Sequence, residues 1–187
     1  MDDAAAHTAV RLLLIAAAVI VAVRSLALAQ GEREHAATAW QHVWLVYLVD
    51  YALAWRHPLA IATPDWYGAA VRPLGLLCMA TGLAVVVWAY RVLGAYWSGS
   101  ISVRRDHRVV ESGPFAVVRH PVYAGFLLGV CGAALALADP AVALAAAASV
   151  PFVRGRALAE ERFLEERLGD AYRDYRRRVR MFVPGLF

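Results

Sequence analysis

The chain has no lysine: all 19 of its basic residues are arginine. It has two cysteines and only 18% charged residues in 187, where an ordinary soluble domain carries about 25%. Cys78 and Cys131 each lie inside an apolar run without a partner at ligand spacing, so they read as small core residues. A disulfide scaffold is thereby excluded, and no metal centre is expected, since no H-x-x-x-H pair or cysteine cluster is present. No P-loop and no G-x-G-x-x-G following a strand occur, so a nucleotide-like cofactor would sit outside those folds. No Ser-His-Asp set lies at matching depth along the chain. No repeat of 20–50 residues is visible, and no linker marks a second domain. The composition also excludes disorder, collagen and coiled coil. A GC-rich genome accounts for the arginine-only usage; the location expected for the chain is a bacterial inner or plasma membrane.

What is abundant is apolar surface. Hydrophobic residues make up 61% of the chain. A soluble fold of this size buries only about 70% of the surface its unfolded chain exposes, so the excess needs a second apolar solvent. The bilayer supplies it, and the chain reads as an all-α integral membrane protein of one domain, residues 1–187. Three N-terminal spans occupy 1–93, and 94–187 forms the half expected to hold chemistry.

A spanning helix takes about 20 apolar residues. Thr8–Ala29 is the first candidate, with Arg11 and Arg24 near its ends where they can snorkel. Ala27-Leu28-Ala29 imitates a signal-peptidase site, but the acidic start at Asp2 and Asp3 and the intervening Arg24 favour a retained helix. Ala36–Trp55 is the second span and carries His42 and Asp50, either a functional pair or groups paired across helices. A short polar connection, Arg56–Gly68, leads to the third span, Leu74–Leu93, with Pro73 in its first turn. Gly75 and Gly82 there permit close helix approach.

After a polar stretch, Gly94–Arg119, an apolar run from Pro121 to Ala138 is broken by Asp139-Pro140 and followed by Ala141–Val153. At 1.5 Å per residue these arms are about 27 and 20 Å long. They read as a hairpin whose second arm continues out of the bilayer as an amphipathic cytoplasmic helix from Arg154. That makes about five transmembrane helices. Four arginines lie in 104–119 and nine in 154–180, and the hairpin puts both segments on one side. By the positive-inside rule that side is the cytoplasm, which leaves the N-terminus outside. A nucleic-acid partner is not expected, since no basic soluble module stands beside the spans.

Arg-His-Pro occurs twice. At 56–58 it ends a span without further pattern and reads as interface punctuation. At 119–121 it sits in a denser run, Gly113-Pro114-Phe115 through Tyr123-Ala124-Gly125. Pro121 at a helix start leaves backbone N–H groups free, and such an end favours anions. Arg119 and His120 add charge and hydrogen bonds there, and Tyr123 lies one turn in. Arg156 and Glu160 are i, i+4 neighbours that the hairpin returns to this end. At about 100° per residue, Glu161 projects onto the apolar stripe of Ala157, Leu164 and Leu168, with Glu160 on its edge. A hairpin base with an ion-paired exit helix remains the bland alternative on spacing alone.

The stretch His107-Arg108-Val109-Val110, Ser112-Gly113-Pro114-Phe115, Arg119-His120-Pro121-Val122-Tyr123-Ala124-Gly125 resembles the isoprenylcysteine carboxyl methyltransferase family. So do Arg156-x-x-x-Glu160-Glu161, Leu168-Gly169-Asp170-x-Tyr172-x-x-Tyr175 and the Val183-Pro184 ending. The resemblance covers roughly 92–187 and leaves the first two spans without a signature. It implies a membrane-embedded methyltransferase that uses S-adenosyl-L-methionine. Carried over, His107, Arg108, Val109, Val110, Phe115, His120, Pro121, Tyr123, Glu160 and Glu161 would line the cofactor pocket. Arg156, Glu160 and Arg119 would carry catalysis, with Arg156 orienting the acceptor. Family spacing favours Glu160 as the contacting carboxylate where projection favours Glu161.

Two departures bear on the acceptor. Eukaryotic members have more than five spans, and Phe115 stands where a tyrosine is common. The implied acceptor is amphiphilic, a lipid-like or prenylated molecule entering from the bilayer, such as the carboxylate of an isoprenylcysteine-like group. A phospholipid or small-molecule methyltransferase of the same architecture is the enzymatic rival. A sterol-reductase-like nicotinamide binder and a non-enzymatic membrane protein are the remaining alternatives.

Overall fold

Proline and glycine positions set most of the architecture. The computed structural model describes residues 2–27, 34–35, 44–56, 59, 61–94, 102–103 and 108–184. Helix α1 runs Asp3–Ala27 and α2 Trp44–Arg56. A one-turn π-helix, Tyr67–Val71, leads directly into α3, Arg72–Leu93. Helix α4 spans Pro121–Leu137, α5 Pro140–Leu168 and α6 Asp170–Arg178. Two-residue strands, β1 (Glu34–His35) and β2 (Ser102–Val103), pair antiparallel; the remaining regular structure among the described residues is helical.

Several boundaries move from their expected places. Helix α1 starts at Asp3 rather than Thr8, because the Asp2 carboxylate accepts the Ala5 N–H at 2.7 Å and caps the first turn. Helical structure before α3 begins at Tyr67, inside the expected polar connection. Pro73 has no N–H to donate, and the Arg72 N–H reaches the Tyr67 carbonyl five residues back, which opens a π turn. Of the second span, 36–43 and with it His42 lie outside the described residues.

Helices α3 and α4 pack antiparallel through glycine. A methyl group placed on Gly75 would stand 2.6 Å from the Gly132 carbonyl oxygen, and one on Gly125 would stand 2.6 Å from that of Gly82. The two backbones therefore touch directly, as small-residue interfaces allow. Around this pair the core joins Val10 and Leu14 of α1, Ala54 of α2, Met79 of α3, Ala133 and Leu137 of α4, and Val142 of α5.

The α4–α5 hairpin turns at Ala138, which takes a left-handed conformation (φ 53°), and Asp139. The Asp139 carboxylate accepts the Ala141 N–H at 2.7 Å and the Val142 N–H at 3.3 Å, with Pro140 opening the helix. Its second oxygen accepts the Leu59 N–H at 2.9 Å, which straps the connection before α3 across the turn. Helix α5 then runs unbroken for 29 residues despite Pro151, a length of about 43 Å.

Leu12, Ile15, Leu77, Leu144 and Phe152 point outward, a burden of exposed apolar side chains that suits lipid rather than water. Among the described residues, two helical segments, Tyr67–Leu93 and Pro140–Leu168, are long and apolar enough to cross a membrane, and Pro121–Leu137 is a shorter apolar helix. Asp50 of α2 is buried and accepts the Ser149 hydroxyl of α5 at 2.6 Å. It is thus paired across helices.

Candidate active site

The site grows from the loop that enters α4. Gly113 takes φ +60° and turns the chain against the end of α3, where a β-carbon would meet Val92 at 2.8 Å. A 3-10 turn, Gly113–Ala116, follows and buries Pro114 and Phe115. His120 then precedes the helix without capping it by its side chain, which leaves the imidazole to other partners. The backbone N–H groups of Arg119 and His120 point to the C-terminal tail. They donate to the carbonyls of Arg180 (2.7 Å) and Met181 (3.1 Å), and Val118 and Arg180 form a parallel bridge. The tail is thereby laid alongside the loop.

Two carboxylates of α5 face this end. Glu161 is 1% exposed. Its Oε1 accepts Arg119 Nε at 2.7 Å and lies 3.1 Å from His120 Nε2, which donates as the Nε2–H tautomer or as imidazolium. Its Oε2 has Arg176 Nε at 3.2 Å, but off line, and accepts no hydrogen bond. Glu160 is half-buried and accepts the Tyr123 hydroxyl at 2.7 Å. That hydroxyl in turn accepts Arg156 Nε at 2.9 Å. The His120 and Tyr123 rings stack at 5.4 Å with 15° between planes, which joins the two carboxylate systems.

Arg119 does more than pair with Glu161. Its Nη1 donates to the carbonyls of Arg176 and Val179 at the C-terminal end of α6, where such groups lack helical donors. Beneath α6, Tyr172 and Tyr175 are buried edge to face at 5.9 Å, and the Tyr175 hydroxyl donates to the Phe115 carbonyl at 2.8 Å. Burial, followed by the charges of Glu161 and Glu160, pushes the Tyr172 phenol well above its ordinary range. Burial does the same to Tyr175. Both stay protonated donors. Arg176 is pushed up chiefly by its hydrogen bond to Glu165 and remains a fixed cation.

The structure thus brings Arg119, His120, Tyr123, Arg156, Glu160 and Glu161 into one connected cluster, with Pro121 and Phe115 buried beside it. Both candidate carboxylates are present, Glu161 deeper than Glu160. Val109 and Val110 are half-buried and Arg108 exposed on the approaching loop, and His107 lies outside the described residues. Sequence reasoning gave no role to Arg176, the tyrosines of α6 or the tail carbonyls. One signal was available: the Arg119 and His120 N–H groups precede a helix-opening proline and need acceptors from elsewhere.

Residues 74–166 match the isoprenylcysteine carboxyl methyltransferase (ICMT) family. The chain is 33% identical over 113 residues to protein-S-isoprenylcysteine O-methyltransferase B of Arabidopsis thaliana, covering 59% of this chain and 57% of the relative. It is 34% identical over 149 residues to the cobalt-zinc-cadmium resistance protein CzcN of Cupriavidus metallidurans, covering 77% and 63%. It is 32% identical over 116 residues to protein-S-isoprenylcysteine O-methyltransferase of Schizosaccharomyces pombe, covering 59% and 48%. The chain therefore spans about half to three-fifths of these relatives' lengths. The matched part, α3, α4 and most of α5, is that of the isoprenylcysteine carboxyl methyltransferase family.

Proposed function

We propose that this protein is an integral-membrane methyltransferase that moves a methyl group from S-adenosyl-L-methionine to an amphiphilic acceptor. The observation that carries the reading is a buried arginine, Arg156, linked through the Tyr123 hydroxyl to Glu160 and set beside the deeper Glu161 at one end of an apolar helix bundle. S-adenosylmethionine, when bound, supplies an electrophilic methyl group on a positively charged sulfur. The residues present suit such a group. Glu161 Oε2 is a buried acceptor without a hydrogen bond, and the stacked His120 and Tyr123 rings offer the π-faces that attract cations. His120, Pro121, Tyr123, Phe115, Glu160 and Glu161 would hold it, and His107, Arg108, Val109 and Val110 would line the same pocket.

Arg156 serves the other reactant. Its guanidinium is buried and its Nε is held by Tyr123, so its direction is set before the acceptor arrives. A carboxylate acceptor, as in the isoprenylcysteine methyltransferases among its relatives, is already ionised and needs no general base. The chain then has to orient the acceptor and withdraw it from water. Glu160 keeps the Tyr123 hydroxyl turned toward Arg156. Arg119 positions: it ties Glu161 to the carbonyls of α6 and the tail, and we assign it no contact with the reacting atoms.

The chain crosses the membrane about five times in this reading, with the site at the cytoplasmic face, where the arginines of 104–119 and 154–180 gather. Feeding membranes methyl-labelled S-adenosylmethionine and fractionating the product identifies the acceptor. Label in a carboxyl methyl ester that alkali releases supports the carboxylate reading; label in an amine headgroup moves the assignment to a lipid N-methyltransferase.

A further inference from the structure

The end of the bundle opposite the site holds a cation that the proposed reaction does not use. Arg72 opens α3, and α3 runs antiparallel to α4, so Arg72 lies near the Asp139 turn and about 25 Å from His120, one length of α4 away. Its side chain is 2% exposed. Nη2 donates to the Thr63 hydroxyl at 2.9 Å and stands 2.5 Å from the Asp3 carboxylate. Nε and Nη1 are buried and have no hydrogen-bond partner. A buried guanidinium with two orphaned nitrogens is costly, and an oxyanion is the group that relieves it.

The surroundings specify which one. Asp3 is 71% exposed, and Asp2 and Asp65, close to Asp3 and Thr63 in sequence, are exposed as well. A simple anion would meet Arg72 but be repelled by these carboxylates. A headgroup carrying phosphate next to ammonium satisfies both signs. Exposed Trp66 and half-buried Tyr67, whose ring lies 6.0 Å from the Arg72 guanidinium, are residue types that favour the membrane interface, and Leu74 is exposed beside them. We propose that Arg72 and Asp3 form a binding site for the zwitterionic headgroup of an ethanolamine phospholipid. Asp3 turns outward to take the ammonium, and that turn uncovers the Nη1–Nη2 edge of Arg72, which takes the phosphate. The site is independent of the methyltransferase reading and of any turnover.

The test uses the full chain purified in neutral detergent and stripped of lipid. Short-chain phosphatidylethanolamine, short-chain phosphatidylglycerol and inorganic phosphate are titrated in separate arms, read by thermal unfolding and by native mass spectrometry. The site predicts one retained phosphatidylethanolamine per chain with a raised Tm, at least five-fold weaker binding of phosphatidylglycerol, and no shift with phosphate alone. Arg72→Gln weakens phosphatidylethanolamine binding at least ten-fold. Asp3→Asn, which leaves Arg72 in place, erases the preference between the two lipids and decides the matter if Arg72→Gln does not fold. Equal binding of the two lipids by wild type, a full shift from phosphate alone, or a folded Arg72→Gln that binds like wild type overturns the proposal.

Discussion

The two ends of the α4–α5 hairpin each hold buried carboxylates, and they use them in opposite ways. At the turn, the partners of Asp139 among the described residues are backbone N–H groups, of Leu59, Ala141 and Val142. At the other end, Glu161 faces Arg119, His120 and Arg176, and Glu160 faces Tyr123 and through it Arg156. A carboxylate held by backbone is locked to one geometry and closes a fold. One held by side chains can exchange partners when a ligand arrives. Burial alone does not separate them, since Asp139 and Glu161 are both 1% exposed; the chemistry of the donors does.

The sharpest way to break this contrast is Glu161→Ala. It leaves Arg119 and His120 buried without a counter-charge, and losing one partner of a buried pair costs about 3–5 kcal/mol. Thermal unfolding in detergent should show a large fall in Tm, together with release of the tail from the Arg119 loop in hydrogen exchange. Glu161→Gln keeps the shape and should recover part of that loss.

Next in size is Gly82→Val in the α3–α4 contact, where the added atoms meet the Gly125 backbone. Overpacking of this kind costs about 1–3 kcal/mol, and unfolding should show it whether or not ligand is present. Asp139→Ala removes a helix cap worth about 0.5–2 kcal/mol. It should lower Tm while leaving cofactor affinity within two-fold of wild type, which separates the turn from the site. Smallest is Arg173→Ala, whose partner Asp170 is itself exposed. An exposed pair contributes about 0–1 kcal/mol, so its Tm should stay close to that of wild type.

The hairpin was legible because its signals are local: Pro121 opens one helix, and Asp139-Pro140 ends one and caps the next. The site loop was legible through motif, since Arg119-His120-Pro121 and Tyr123 are adjacent in sequence. The partners of Arg119 were not, because Arg176 belongs to a charge run that reads as a solvated face, and its carbonyl and those of Val179 and Arg180 carry no sequence mark. Glu160 and Glu161 looked like alternatives because projection of one helix assigns one inward face. The start of α4 and the docked tail together give α5 two sides to face, so both carboxylates find partners. The early start of the helix before α3 escaped for a different reason. Pro73 normally marks a first turn, and only the Arg72 N–H reaching back to Tyr67 shows that a π turn precedes it.

The contrast between the two ends also fixes where a ligand should be felt. The Tyr123 hydroxyl links Arg156 to Glu160, and its ring lies against His120. Isothermal titration of the purified protein with S-adenosylmethionine, wild type against Tyr123→Ala, is the most direct test. One site per chain in wild type, weakened at least ten-fold in the variant while Asp139→Ala binds normally, is the expected result. No heat from wild type, with Tyr123→Ala indistinguishable from it, would contradict the assignment of this cluster as a methyltransferase site.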